Sequence, residues 1–301
     1  MLEAWNKSAL DDSFYTPDDE EKAFMKVVTG IESDEELRAH IVSVQSKAFS
    51  IYRYPCIRIF EFLRRLKMAR LPAYPDLLRL RTERSDAILL DLGCCFGNDV
   101  RKAVLDGFPV QNVIASDLQP QFWELGHELF RSTPSTFPAR FVAGDVLDTS
   151  FVSYSSPLPT TVESPSGGAP MLSSVTSLNE LKGHVSAIFT GAFFHLFTFE
   201  QQTHIARLLA GLLSPLPGSM LFGVQGGRTV KSLWTPGQGT QMHGHSPESW
   251  REMWEGIFEE AGVKVVVKAA LRKEIGGDDF FGTWPGNTDP YQVLEWSVTR
   301  V

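Results

Sequence analysis

Apolar and polar positions change period several times along the chain, and the changes divide it. Residues 20–29 read as a helix closed by Gly30, a residue suited to a helix terminus. Ser33 followed by Glu36 reads as a capping box. Leu37, Ile41, Val44, Ala48 and Ile51 then recur at spacings of four, three, four and three, the stripe of one helix face, which Pro55 ends. Ile59, Phe60, Leu63 and Leu66 mark a further helix through Met68, and Pro72 and Pro75 bracket a turn. No strand-like alternation appears before about residue 84, so 1–84 is expected to form a helical cap or lid.

Beyond it, short apolar runs alternate with helical periods, the signature of an α/β fold. Strands are expected at 88–92, 112–116, 140–144, 185–189 and 220–224, and helices at 98–106, 120–131, 200–213 and 247–261. Segment 151–177 is rich in Ser, Pro, Thr and Gly and reads as a surface insertion. Segment 226–244 reads as a long Gly-rich loop, a type that is often functional. Two last strands, 263–270 and 293–299, lack a helical period between them and are expected to form an antiparallel hairpin. The fold class is therefore a doubly wound, Rossmann-like seven-stranded α/β sheet, spanning 85–301, with its final strand antiparallel.

The chemistry concentrates at the strand ends. The first strand ends in Asp91-Leu92-Gly93-Cys94-Cys95-Phe96-Gly97. A dinucleotide fingerprint asks for glycine at relative positions 0, 2 and 5, which hold Gly93, Cys95 and Asn98, so one of three fits. A loop with an acid at −2 and glycine at 0, 2 and 4 finds Asp91, Gly93, Cys95 and Gly97, so three of four fit. Cys carries a Cβ, so residue 95 is expected to keep ordinary backbone angles. A tight turn without a ligand competes with this reading, and the next strand ends weigh against it. Asp117, followed by Leu118, offers a carboxylate for vicinal ribose hydroxyls. Asp145 can accept from an adenine amino group while Val146 offers its backbone N–H. The fourth strand leads into Thr190, Gly191, Phe193, Phe194 and His195. All lie at or beside the carboxyl ends of strands, where open α/β sheets bind ligands.

On these motifs the chain resembles the class I S-adenosylmethionine-dependent methyltransferases. The Leu-Asp-Leu-Gly-Cys loop, Ala-Ser-Asp-Leu at 115–118, Gly-Asp-Val at 144–146, Phe-His-Leu-Phe at 194–197 and Tyr52-Arg53-Tyr54-Pro55-Cys56-Ile57 are similar to the fungal O-methyltransferases of meroterpenoid biosynthesis. The resemblance implies S-adenosyl-L-methionine as cofactor and a small-molecule acceptor. It further implies carboxyl methylation of a farnesylated, polyketide-derived aromatic acid, and a homodimer. A hydroxyl- or nitrogen-directed methyltransferase, or a catalytically silent methyltransferase-like binding protein, are the alternatives.

A carboxylate acceptor is already ionised at pH 7, whereas a hydroxyl needs a general base. His195 is the candidate catalytic residue for either role, against a purely structural one. Tyr52, Arg53, Tyr54, Phe194, Trp234, His243 and His245 are candidates for the acceptor site, with core packing or a solvated helix face as the plain alternatives. No Cys, Asp or Glu accompanies His243 and His245 at ligand spacing, so no metal is expected. Cys94 and Cys95 read as packing residues.

Composition narrows the partners. A hydrophobic content of 43% supports a sizeable core, and 28 basic against 36 acidic residues give a net charge of −8, which disfavours nucleic-acid binding. Three cysteines make no disulfide framework, and neither a membrane-spanning run nor a signal-peptide pattern is read, so a cytoplasmic location is expected.

Overall fold

The computed structural model describes residues 9–63, 66–162, 170–234, 241–273 and 292–301. Helix α1 (Asp19–Thr29) starts in a true capping box, Asp18 accepting from the Glu21 N–H while Glu21 accepts from that of Asp18, and ends on Gly30 at φ 68°. Helix α2 (Asp34–Ile51) has only half of the expected box: Ser33 accepts from the Glu36 N–H at 3.3 Å. Its stripe of Leu37, Ile41, Val44 and Ala48 is buried in one cluster with Phe24, Phe122 and Phe130, which fastens these helices to the sheet-bearing part.

The expected helix through Met68 is not formed. A four-residue helix α3 (Pro55–Arg58) gives way to turns in which Phe60 and Leu66 take positive φ. Ile59, Phe60, Leu63, Leu66 and Met68 are nonetheless all buried. Their apolar spacing reports burial under irregular backbone rather than helix. Helix α4 (Tyr74–Glu83), with Pro75 in its first turn, leads to the first strand.

The sheet has seven strands in the order β3-β2-β1-β4-β5-β9-β8. Strands β1 (Leu89–Leu92), β2 (Val113–Asp117), β3 (Arg140–Ala143), β4 (Ala187–Gly191) and β5 (Met220–Gly227) pair in parallel. Strand β9 (Gln292–Arg300) runs antiparallel to both β5 and β8 (Val265–Lys273). Helices α5 (Asn98–Leu105), α6 (Pro120–Leu129), α7 (Phe199–Leu212) and α8 (Pro247–Glu260) complete the winding. One face of the sheet packs on α7 and α8 through Leu90, Ile188, Leu209, Trp250 and Trp254; the other holds Leu89, Val113, Phe189 and Phe222 against α4 and α5.

In the described parts of two expected loops there is more structure than their composition suggests, residues 163–169 and 235–240 lying outside the described residues. Within 226–244, β6 (Ser232–Trp234) and β7 (Met242–Gly244) pair as an antiparallel ribbon, Leu233 opposite His243. The segment read as an insertion is pinned at both sides, because Phe151, Val152 and Val175 are buried in the core beneath β1 and β4.

Candidate active site

The parallel pairing of β1 with β2 and β4 brings Asp91, Asp117 and Gly191 to one edge of the sheet. The turn after β1 is held there by backbone bonds: the Gly93 and Cys94 N–H groups donate to the Ser116 carbonyl at 2.8 and 3.0 Å. Gly93 has φ 79°, and a Cβ on it would lie 2.8 Å from Cδ2 of Phe193, so only glycine fits beneath that ring. Gly97 has φ 73°, and a Cβ there would meet Cζ3 of Trp123 at 2.5 Å.

Cys95 corrects an expectation. Its φ is 51°, in the left-handed region that its Cβ was expected to avoid. The compensation is a clamp: the Cys95 N–H donates to Asp117 Oδ2 at 2.8 Å, while the Gln119 N–H donates to Oδ1 at 2.9 Å. Both oxygens of Asp117 are thereby oriented, and each keeps acceptor capacity for a second donor. Burial raises the Asp117 pKa against the lowering effect of these N–H groups. The Cys95 side chain packs against the same buried cluster as Tyr54 and Cys56 of the N-terminal segment. Burial, then Cys56 and Asp117, push its thiol far up, as burial does for Cys94, so both stay neutral.

Asp91 is buried beside this clamp. Burial first, then Asp99 and Asp117, push its carboxyl well above the ordinary range, opposed by Lys67. Asp99 also titrates high from burial, although it accepts from the Met68 N–H at 2.6 Å. The edge therefore gathers three desolvated carboxylates, an environment that favours a cationic ligand.

Asp145 is exposed and accepts from the Leu147 N–H at 2.9 Å, while the side chain of Val146 is in the core. Leu118 and Leu147, following β2 and β3, are 54% and 37% exposed. Two uncovered apolar side chains at the sheet edge suit the faces of a flat base. Thr190 is buried, and its Oγ1 has no partner among the described residues.

His195 lies in a single turn, Phe194–Leu196, just past β4, and is buried. Its Nδ1 accepts from the Gly226 N–H at 3.2 Å, which places the proton of the neutral ring on Nε2. Burial and the nearby Lys67 push its pKa down to about 4. At neutral pH the ring is an uncharged hydrogen-bond donor through Nε2.

The acceptor-site candidates divide. Phe194 is fully buried among Trp250 and Trp296, with centroids at 5.0 and 6.0 Å; it anchors the His195 turn rather than lining a cleft. His243 and His245 meet Phe199 edge-on from β7 and the residue after it, at 5.0 and 5.1 Å. His245 is buried against Ser249, with Nδ1 2.9 Å from its hydroxyl, and its pKa falls to about 4 from burial and Lys231. Trp234 is buried in β6. Tyr52 lies tilted against Tyr54 at 4.1 Å, and Tyr54 reaches Phe122 at 5.9 Å, where burial, then Tyr52 and Asp117, raise its phenol. Arg53 is exposed and covers Phe49 at 5.5 Å.

Sequence reasoning placed Phe193 past the fourth strand but missed that it roofs Gly93, and it missed two residues altogether. Lys67 enters from the N-terminal segment. Arg101 Nη1 donates to the carbonyl of Phe96 at 2.8 Å, with its guanidinium over Phe130 and Phe137 at 4.5 and 4.4 Å, and burial lowers its pKa to about 9. An arginine one turn into a helix carries no sequence signal of such enclosure.

Residues 10–63 match the family model described as the meroterpenoid methyltransferase N-terminal domain. An O-methyltransferase of Stereocaulon alpinum is 34% identical over 80% of this chain, the match spanning 63% of that relative's length. An O-methyltransferase of a fungal species (strain ATCC 74256) is 30% identical over 85% of this chain and 76% of its own. The Asnovolin E/Chermesin D methyltransferase of Aspergillus novofumigatus is 30% identical over 77% of this chain and 74% of its own. Among solved structures, a Burkholderia thailandensis N1-methyltransferase complex with S-adenosylhomocysteine aligns over 90% of this chain and 92% of its own at 12% identity, with a TM-score of 0.46. The residues present fit S-adenosylmethionine: both oxygens of Asp117 keep capacity to accept from hydroxyls, Leu118 and Leu147 are open to a base, and the buried acids suit a sulfonium and an ammonium. The chain belongs to this family of fungal S-adenosylmethionine-dependent methyltransferases.

Proposed function

We propose that this methyltransferase acts on a carboxylate oxygen of a farnesylated, polyketide-derived aromatic acid in fungal meroterpenoid biosynthesis. The observation that carries the reading is the tautomer of His195. Its Nδ1 is occupied by the Gly226 N–H at 3.2 Å, so Nε2 bears the proton and donates. An Nε2–H suits an acceptor that already carries negative charge; it cannot take a proton from a hydroxyl. The bound donor supplies an electrophilic methyl on a cationic sulfur. A carboxylate needs placement and partial desolvation before it can displace that sulfur, and holding one oxygen by hydrogen bond leaves the other free to attack. A meroterpenoid acceptor is supported by the match of residues 10–63 to the meroterpenoid methyltransferase N-terminal domain, and one relative is named as an asnovolin E/chermesin D methyltransferase.

The same reading takes residues 1–84 as a cap over the domain 85–301, with Tyr52, Arg53, Trp234 and His243 near the acceptor and Tyr54 near the ribose. It takes the enzyme as cytoplasmic and as a homodimer; light scattering of the purified chain tests the dimer, and microscopy of a fluorescent fusion in the fungus tests the location. The acceptor is tested with a panel of prenylated aromatic acids and their methyl esters. Transfer of one methyl to the acids alone, with the ester identified by mass and NMR, is the expected result. Methylation of the esters at a free hydroxyl would overturn it.

A further inference from the structure

Lys67 is a largely enclosed cation, its side chain 18% exposed, that the reading of His195 does not use. It lies between Leu66 and Met68, both in the core, and the Met68 N–H is docked on Asp99 at 2.6 Å. Its Cδ lies 3.6 Å from where a Cβ on Gly191 would stand, so its stem crosses the carboxyl end of β4. Among the described residues its ion-pair partner is Glu61, with Nζ to Oε1 at 3.5 Å. That is long for a charge-assisted hydrogen bond, which closes to about 2.7–2.9 Å. An ammonium has three donors, and among the described residues this contact engages one of them, which leaves donors for an incoming acceptor. Its field reaches both ends of the site, lowering Asp91 and Asp99 on one side and His195 on the other. Burial pulls its pKa down, and Glu61, Cys56 and Asp99 outweigh that and raise it above the ordinary lysine value.

We propose that Lys67 is a substrate-binding residue that leaves Glu61 to hold a carboxylate placed over Gly191. Two carboxylates come to this edge: the α-carboxylate of the methyl donor and that of an acid acceptor. The second source rests on the carboxyl-acceptor reading above; the first does not. Either way the incoming anion would replace a 3.5 Å contact with a closer one, while the donor's cationic groups face Asp91 and its neighbours.

Calorimetry separates the sources. S-adenosylhomocysteine carries the α-carboxylate, and methylthioadenosine is the same nucleoside thioether without the amino-acid tail. If Lys67 holds the donor, Lys67→Met weakens S-adenosylhomocysteine at least tenfold and leaves methylthioadenosine unchanged. If it holds the acceptor, S-adenosylhomocysteine binding is unchanged and KM for the aromatic acid rises at least tenfold, with kcat moving less. Equal weakening of both nucleosides marks a structural role and overturns the proposal, as does no change in any of the three quantities. Should Lys67→Met fail to fold, Glu61→Gln removes the competing partner. It is expected to tighten S-adenosylhomocysteine or lower the acceptor KM several-fold; no change or a weakening in both overturns the proposal.

Discussion

The sharpest test of the site is the protonation of His195. Its pKa is about 4 instead of the ordinary 6.5. Charging it in the folded protein therefore costs roughly 3 kcal/mol more than in the unfolded chain, at 1.36 kcal/mol per pKa unit. At pH 7 roughly one ring in a thousand is protonated. With Nδ1 filled by Gly226, the ring acts by donating from Nε2. A hydrogen bond to a charged group is worth about 1.5–3 kcal/mol, so His195→Ala should lower kcat/KM roughly 10- to 150-fold. His195→Gln restores an N–H near the same place and should recover about half of that free energy. Because a carboxylate is ionised above its pKa of about 4, kcat/KM of the wild type should stay level from about pH 5.5 to 8.5. The assay is initial-rate methyl transfer to an aromatic acid across that range, with melting temperatures as a check on folding. A loss beyond about a thousandfold without rescue by glutamine, or a rising limb near pH 6–7, would refute the donor role and restore a general base.

Other outcomes follow from the same geometry. Gly97→Ala places a Cβ 2.5 Å from Trp123 on a backbone at φ 73°, and should cost at least about 1–2 kcal/mol in urea unfolding and weaken donor binding. Cys95→Gly relieves a side chain held at φ 51° and should leave activity intact with stability unchanged or raised by up to about 1 kcal/mol. His195 and His245 both have folded pKa values depressed to about 4, so the unfolded chain binds more protons below pH 6.5. Their contribution to stability is complete above that pH and drains away as pH falls towards 4; His245→Phe should flatten part of this acid limb in denaturant titrations. Arg101→Met keeps the aromatic packing but removes the bond to the Phe96 carbonyl, and should raise the donor's Kd about threefold or more while lowering the melting temperature by no more than about 4 °C.

The periodic parts of the fold were legible because burial on a regular backbone leaves a period. The strand ends, and with them Asp91, Gly93, Gly97 and Asp117, could be placed at one edge from spacing alone. Cys95 was misjudged because its backbone angle is settled by a partner twenty-two residues away, the carboxylate of Asp117, and not by its own side chain. Residues 59–68 looked helical because burial in irregular turns can mimic a helical spacing. Phe194 was read as a cleft residue from its place beside His195, whereas Trp250 and Trp296, from distant elements, enclose it. Lys67 had no signal at all: its meaning comes from Gly191 and Asp91, which only the folded chain brings to it.

The interior place of β9 has a consequence for synthesis. It lies between β5 and β8, yet leaves the ribosome after both. Until it emerges, β8 has no strand to join, and β5 presents an unpaired apolar edge. The half of the sheet that carries the glycine turn can assemble during translation, while the other half waits for the last strand. Expression yield should therefore depend on what shields β5 in that interval, and substitutions in β9 should lower soluble yield more steeply than equally buried substitutions in β1.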